Sequence, residues 1–171
     1  MRSNRHMSRP RRIEPAPGQE SVWDYPRPPR VEPTADVVEV TLGGLLVART
    51  TRALRVLETS HPPTYYLPME AFAPGSLVPT GGQSFCEWKG VAAYFDVVAG
   101  SAVAERAAWG YPYPTTAFQA LRDHVALYPA AMDACTVDGE VVAAQPGDFY
   151  GGWITSRVVG PFKGIAGSRG W

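Results

Sequence analysis

Cysteine is nearly missing. Cys86 and Cys135 are the two thiols in 171 residues. Two cysteines cannot build a disulfide scaffold, and they lack C-x-x-C spacing. Both are expected to be reduced. Three histidines at scattered positions add too few ligands for a zinc centre, so neither metal nor cofactor is expected. Lysine is equally scarce: the sixteen basic residues are fourteen Arg and two Lys. The arginine excess reads as a compositional bias of the source and is poor evidence of phosphate recognition. It turns attention to Lys89 and Lys163. Charge of one sign is also absent, since sixteen acidic residues balance the basic ones. This excludes a strongly basic nucleic-acid binder. No stretch approaches the roughly 18 consecutive apolar residues of a membrane span. The basic start MRSNRHMSRPRR is followed by no apolar segment, so it does not read as a secretory signal. A cytoplasmic protein is expected.

Several chemistries lack their motifs. There is no G-x-x-x-x-G-K-[ST], and Gly43-Gly44 stands alone between strands, so P-loop and dinucleotide binding have no support. There is no G-x-S-x-G nucleophile elbow. A two-metal nucleotidyl transfer site needs paired carboxylates on a strand after such a glycine turn. Here the next acid after Gly44 is Glu58, and no pair follows it.

What is present suits one compact domain. Apolar residues make up 45% of the chain, enough for a sizeable core. Seventeen glycines and seventeen prolines point to turns and short elements rather than a helical bundle. Residues 1–35 hold seven Arg and a proline at 10, 15, 17, 26, 28, 29 and 33. Proline at this density favours extended chain. The first dozen residues are expected to be disordered. Val22–Pro33 is expected to be an ordered arm, because Trp23, Tyr25 and Val31 are costly to leave in water. It could dock on its own domain or on a second copy.

Residues 36–144 read as the domain proper, α+β and mainly antiparallel β. Strands are expected at Val37–Thr41, Leu45–Thr50, Ala53–Glu58, Tyr65–Leu67, Ser84–Trp88, Val91–Val98 and Ala104–Tyr111. Residues 73–83 read as a Gly/Pro loop, and Pro68–Phe72 as one helical turn. Thr116-Ala117-Phe118-Gln119 matches a capping box, with Phe118, Leu121 and Val125 on one face, so a principal helix is expected near 116–127. Asp138-Gly139 marks a type I′ hairpin. Residues 145–171 read as an irregular, ordered tail rich in glycine and aromatics.

Three runs carry possible chemistry. In Glu58–Pro68, His61 precedes two prolines, which stiffen the backbone and aim the ring. Tyr65 and Tyr66 should point to opposite faces of a strand. This run is either a surface turn with His61 in water or a ligand-facing loop. In Cys86–Gly90, alternation would put Cys86 and Trp88 on one face and Lys89 on the other. Lys89 could offer its ammonium to an anion. Cys86 is either a buried inert thiol or a nucleophile activated by Lys89 or His61. In Ala107–Pro114, Trp109, Tyr111 and Tyr113 form a rigid wall, either a core corner or one side of a pocket.

These runs carry a resemblance. Gly44-Leu45-Leu46-Val47-Ala48, His61 to Pro68, Cys86-Glu87-Trp88-Lys89-Gly90, the strand with Tyr94, and Ala108 to Pro112 resemble the bacterial family called domain of unknown function 427. The resemblance covers about Val37–Asp138, and Glu20–Arg30 looks like the signature of an actinobacterial-type branch with extended ends. It departs at Glu87, where the family typically carries proline. The resemblance implies a small β-rich fold, a tent-like pair of sheets, and no established reaction. A nucleotidyltransferase label attached to the family finds no paired carboxylates in this chain.

Three functions are weighed. The first is a small-molecule binding module with a pocket lined by His61, Tyr66, Trp88, Lys89, Tyr94, Trp109 and Tyr111. The second is an enzyme using acid-base or nucleophilic chemistry at Glu58, His61, Lys89 and Cys86. The third is an assembly protein, a homodimer joined through the N-terminal arm. The partner expected is a small molecule, not nucleic acid or membrane.

Overall fold

The computed structural model describes residues 9–171. Its strands are β1 (Glu20–Ser21), β2 (Arg30–Pro33), β3 (Val38–Leu42), β4 (Leu45–Thr50) and β5 (Leu54–Leu57). There follow β6 (Thr64–Pro68), β7 (Leu77–Cys86), β8 (Gly90–Ala99), β9 (Ala102–Gly110) and β10 (His124–Leu127). The last are β11 (Ala134–Val137), β12 (Glu140–Val141), β13 (Ala143–Ala144), β14 (Trp153–Ile154) and β15 (Val158–Val159). Seven of them form one antiparallel sheet in the order β2-β5-β6-β10-β9-β8-β7. A four-stranded sheet, β12-β11-β3-β4, packs across it. Two short pairs, β1–β15 and β13–β14, tie the ends of the chain to the body.

Turn chemistry sets the hairpins. Gly43 and Gly44 both have positive φ, the type I′ geometry that joins β3 to β4 without splaying them. Asp138 and Gly139 do the same between β11 and β12. The space between the sheets is filled by aliphatic side chains: Val38, Val40 and Val47 from one sheet, Leu67, Val97, Val125 and Leu127 from the other. Trp153 enters from the tail, fully buried. Its ring stacks on Tyr65 at 4.8 Å, and its indole N–H donates to the Leu127 carbonyl at 3.4 Å.

The opposite face of the large sheet is different. Strand alternation sends Tyr65 and Leu67 into the aliphatic core and Tyr66 out the other side. There Tyr66 joins Val56, Ala92, Tyr111, Phe118, Leu121 and Ala126, with Trp88, Tyr94 and Trp109 packed around them. Among the described residues no second sheet covers this face. It is closed by irregular chain.

The arm is ordered and packs on its own chain. Val22, Tyr25 and Leu57 form a third cluster with Val158, and Trp23 and Phe162 pack on it. The Trp23 indole N–H donates to the Pro161 carbonyl at 2.9 Å, and its ring meets Trp171 edge-on. Arg55 reaches both Glu20 and Glu32, and Tyr25 donates to Glu20 at 2.6 Å. The arm ends as β2, an edge strand, where Pro33 removes no needed amide. Within the expected disordered dozen, Arg12 pairs with Asp24. Residues 1–8 lie outside the described part.

Three expectations are corrected. No principal helix spans 116–127. Thr116–Leu121 is a short 3-10 segment and 124–127 is strand β10. The capping box does not form: Thr115 is the N-cap, and its hydroxyl donates to the Trp88 carbonyl. Gln119 donates to the Pro114 carbonyl. Arg122 is extended and Asp123 adopts positive φ, which turns the chain into the sheet. Phe118 and Leu121 are buried as expected, but Val125 faces the other side of the sheet. Residues 77–83 are not loop but part of the ten-residue strand β7. It lies at the sheet edge, where Pro79 is tolerated, and the register shifts at Gly81-Gly82 as in a bulge. Finally, Cys86 pairs with Gly90 across a tight turn, so strand alternation does not separate Lys89 from Cys86. No described helix is long and apolar enough to cross a membrane.

Candidate functional site

A cavity of about 380 Å³ opens on the aromatic face of the large sheet. All three runs singled out from the sequence reach it. Glu58, His61 and Tyr66 come from the first; Cys86 and Lys89 from the second; Trp109 and Tyr111 from the third. Tyr94 on β8 adds a further wall. Trp88 does not line the cavity. It packs behind it, against the cluster around Phe118 and Leu121. Tyr113, also in the third run, is exposed and lies outside.

The sequence reading missed the other half of the wall. Tyr128, Gln145, Phe149, Tyr150, Gly151 and Lys163, mostly from the tail, line it together with Val56, Pro62, Thr64, Ser84 and Phe85. The scarcity of lysine was the one signal for Lys163. The signal for Phe149 and Tyr150 was an aromatic pair in an irregular, glycine-rich tail. Gln145 had none.

Gln145 organises the site. It is buried, and its Oε1 accepts from the Gly152 amide at 3.1 Å. That fixes the side-chain amide, so Nε2 faces the Lys163 carbonyl at 2.9 Å and His61 Nδ1 at 3.0 Å. Nδ1 is then the acceptor of the ring, and the proton sits on Nε2, which faces Glu58 Oε2 at 3.3 Å. Tyr150 packs edge-on against the imidazole at 5.0 Å. Both nitrogens of His61 are therefore committed to the protein. The ring is a held wall of the cavity rather than a free base.

The backbone supports this placement. Ser60, just before His61, adopts φ of 74° and is fully buried, with no partner for its hydroxyl. A non-glycine residue in that region is strained unless its surroundings hold it. Its amide donates to the Val22 carbonyl of the arm at 3.0 Å. Its carbonyl accepts from the Lys163 amide of the tail at 2.9 Å. Trp153 N–H donates to the Pro63 carbonyl at 2.8 Å. The H-P-P loop is thus clamped between both ends of the chain.

Burial pushes the Glu58 carboxyl up. The bond from His61, together with nearby Arg27 and Lys89, outweighs it and holds the group below the usual carboxylate range. Burial raises the Tyr66 phenol well above its ordinary value, and Tyr111 likewise. Both hydroxyls stay protonated at neutral pH. Lys89 lies 3.7 Å from the Cys86 sulfur and 5.6 Å from the centre of the Tyr111 ring. Lys163 lies 5.8 Å from the centre of the Tyr150 ring and donates to the backbone oxygen of Trp171 at 3.1 Å. Trp109 leans on Tyr128 at 4.6 Å between ring centres. Gly151 passes so close to the Trp109 ring that a Cβ there would overlap it. Phe85 and Phe149, 75% and 80% exposed, stand at the rim. Among the described residues no cluster of His, Cys, Asp and Glu could hold a metal ion.

Comparison with known proteins gives a family and no curated relative: nothing among curated proteins matches the chain. The family model matches residues 30–138, well over half of the sequence. Tyr66, Lys89, Tyr94, Trp109 and Tyr111 fall inside that segment, whereas Gln145, Tyr150 and Lys163 fall beyond it. By that match the chain belongs to the family described as Domain of unknown function (DUF427).

Proposed function

We propose that this protein is a small-molecule binding module whose ligand seats in the aromatic cavity. The observation that carries the reading is convergence. Residues as distant in sequence as His61, Lys89, Trp109, Gln145 and Lys163 meet around one hollow. Its volume falls in the range of small-molecule sites, and it combines aromatic walls with a few polar anchors. The anchors are preorganised: His61 is held from both nitrogens, and Trp109 is wedged against Gly151. Preorganised side chains lose little entropy when a ligand arrives. A thermal-shift screen of metabolite classes on wild type, Trp109→Ala and Lys89→Met tests it. Wild type is stabilised by at least one class that neither variant answers. If every class moves wild type and variants alike, the module reading fails.

A second reading, an enzyme, draws on one contact. Lys89 sits at hydrogen-bond range of the Cys86 sulfur, and both line the cavity. An ammonium at that range can pair with the negative charge that forms on sulfur as it attacks. His61 is the weaker half of this reading, because Gln145 and Glu58 occupy its nitrogens. Mass spectrometry after incubation with the compounds that the screen selects tests it. A covalent adduct at Cys86, or turnover lost in Cys86→Ser with binding kept, supports the enzyme. Unmodified protein and unchanged compounds rule it out.

A further inference from the structure

We infer that the cavity takes a ligand with a single carboxylate on a flat unsaturated ring. This inference rests on the binding reading above and names the ligand's chemistry. The first observation is the placement of lysine. The chain has two lysines, and both line this one cavity, while none of the described arginines does. Each ammonium has three N–H donors. Lys89 shows one contact, to a sulfur, which is a weak acceptor. Lys163 shows one bond, to the backbone oxygen of Trp171. Donor capacity is left over on both.

The second observation is charge. Glu58 is the one carboxylate in the lining, and it is engaged by His61 and Arg27. Arg27 pairs with Glu58, so among the described residues the Lys89 ammonium has no carboxylate partner and leaves a surplus of positive charge at the cavity. A monoanion balances that surplus. A phosphoryl dianion is poorly served, because among the described residues no arginine fork lines the site.

The third observation is shape. Tyr66, Tyr94, Trp109, Tyr111 and Tyr150 present rings to the hollow, and aromatic faces prefer a flat π-system to an aliphatic one. Both lysines lie beside tyrosine rings, so charge recognition and ring recognition occur side by side.

Isothermal titration with 1-naphthoate, 1-naphthamide and inorganic phosphate tests the inference. The acid and the amide share one ring and differ in charge. The acid is expected to bind at least about tenfold tighter than the amide, a difference readily resolved in Kd. Lys89→Met and Lys163→Met each erode that preference, whereas Lys89→Arg retains it. Far-UV circular dichroism shows that each variant is folded. Equal or tighter binding of the amide overturns the inference and leaves the binding module standing. So does displacement of naphthoate by phosphate at comparable concentration. Binding of neither naphthyl compound, with neutral compounds selected in the thermal-shift screen, overturns it in the same way. Binding of nothing in either assay overturns both readings.

Discussion

Adjacent tyrosines divide the molecule. Tyr65 faces the four-stranded sheet and stacks on Trp153 in a packed aliphatic interior. Tyr66, one residue on, faces a hollow. The two sides of one sheet are thus built on different rules. On the first side, regular strands meet regular strands, and branched aliphatic side chains bury one another. On the second side, rings project from the same strands but are met by turns, a short 3-10 segment and a glycine-rich tail. Irregular chain cannot mesh with a pleated surface along its length. The first face supplies the larger buried aliphatic cluster, and the hollow lies on the second.

The largest expected effect breaks the first face. Trp153 is fully buried, stacks on Tyr65 and bonds to β10. Trp153→Ala should cost about 3–5 kcal/mol, as other buried aromatic truncations do. Urea unfolding measures this. A loss under about 1 kcal/mol would mean that the interior collapses around the gap and that this face is less tightly packed than the geometry indicates.

A smaller effect is expected where the faces exchange a residue. Gly151→Ala forces a methyl into the Trp109 ring. Overpacking of this kind costs about 1–3 kcal/mol. The cost should fall on the cavity wall and not on the sheets. Hydrogen exchange should therefore rise in the tail around Gln145 and Trp153 while β8 and β9 stay protected. Uniform acceleration across all strands would show that the Gly151 contact is coupled to the core through Trp153.

The first face was largely legible in the sequence, and the second only in part. Leu45–Thr50 is a strand at its expected bounds because the Gly43-Gly44 turn folds it back on Val38–Leu42, whose buried residues alternate. Thr116–Gln119 misled because a capping pattern is a local preference. The chain there must place Phe118 and Leu121 on one side of the sheet and Val125 and Leu127 on the other, which no single helix face can do. Pro79 and Gly81-Gly82 read as loop, since nothing in one sequence says that a strand will lie at an edge. The aromatic runs were legible as wall material because rings are few and their burial is worth much. Gln145 was not, because an amide's role depends on where its four hydrogen-bonding positions land, and that is fixed by tertiary contacts with Gly152, His61 and Lys163.

Acid separates the faces more gently. The folded-state pKa of Glu58 lies below its ordinary value of 4.5. The folded protein then binds fewer protons than the unfolded chain through that range. This stabilising contribution is complete above the unfolded value and is lost as pH falls through the folded one. Glu58→Gln should flatten the acid limb of a stability–pH curve and leave the curve near neutrality parallel to wild type. Lowering the pH from 6 to 3 should loosen the H-P-P loop and tail in wild type before the aliphatic core. An acid limb unchanged in the variant would assign acid sensitivity to other carboxylates, Glu20 first among them, whose group is also held low by Arg55 and Tyr25 against its burial.

The smallest perturbation reads both faces in one experiment, because each holds one cysteine. Cys135 lies between the sheets, and burial pushes its thiol up to about 12. Cys86 lines the cavity and is partly exposed. Alkylation requires the thiolate and an open approach. Iodoacetamide should therefore label Cys86 in the native protein, and label Cys135 only at the rate of global unfolding. The labelling itself should shift stability little, since the adduct at Cys86 enters empty space rather than packed core. A ligand seated in the cavity should slow Cys86 and leave Cys135 untouched. Equal labelling of both thiols would mean that the two faces open together. Slow labelling of Cys86 without ligand would mean that the wall from the tail closes over the hollow, and that entry to it needs the tail to move.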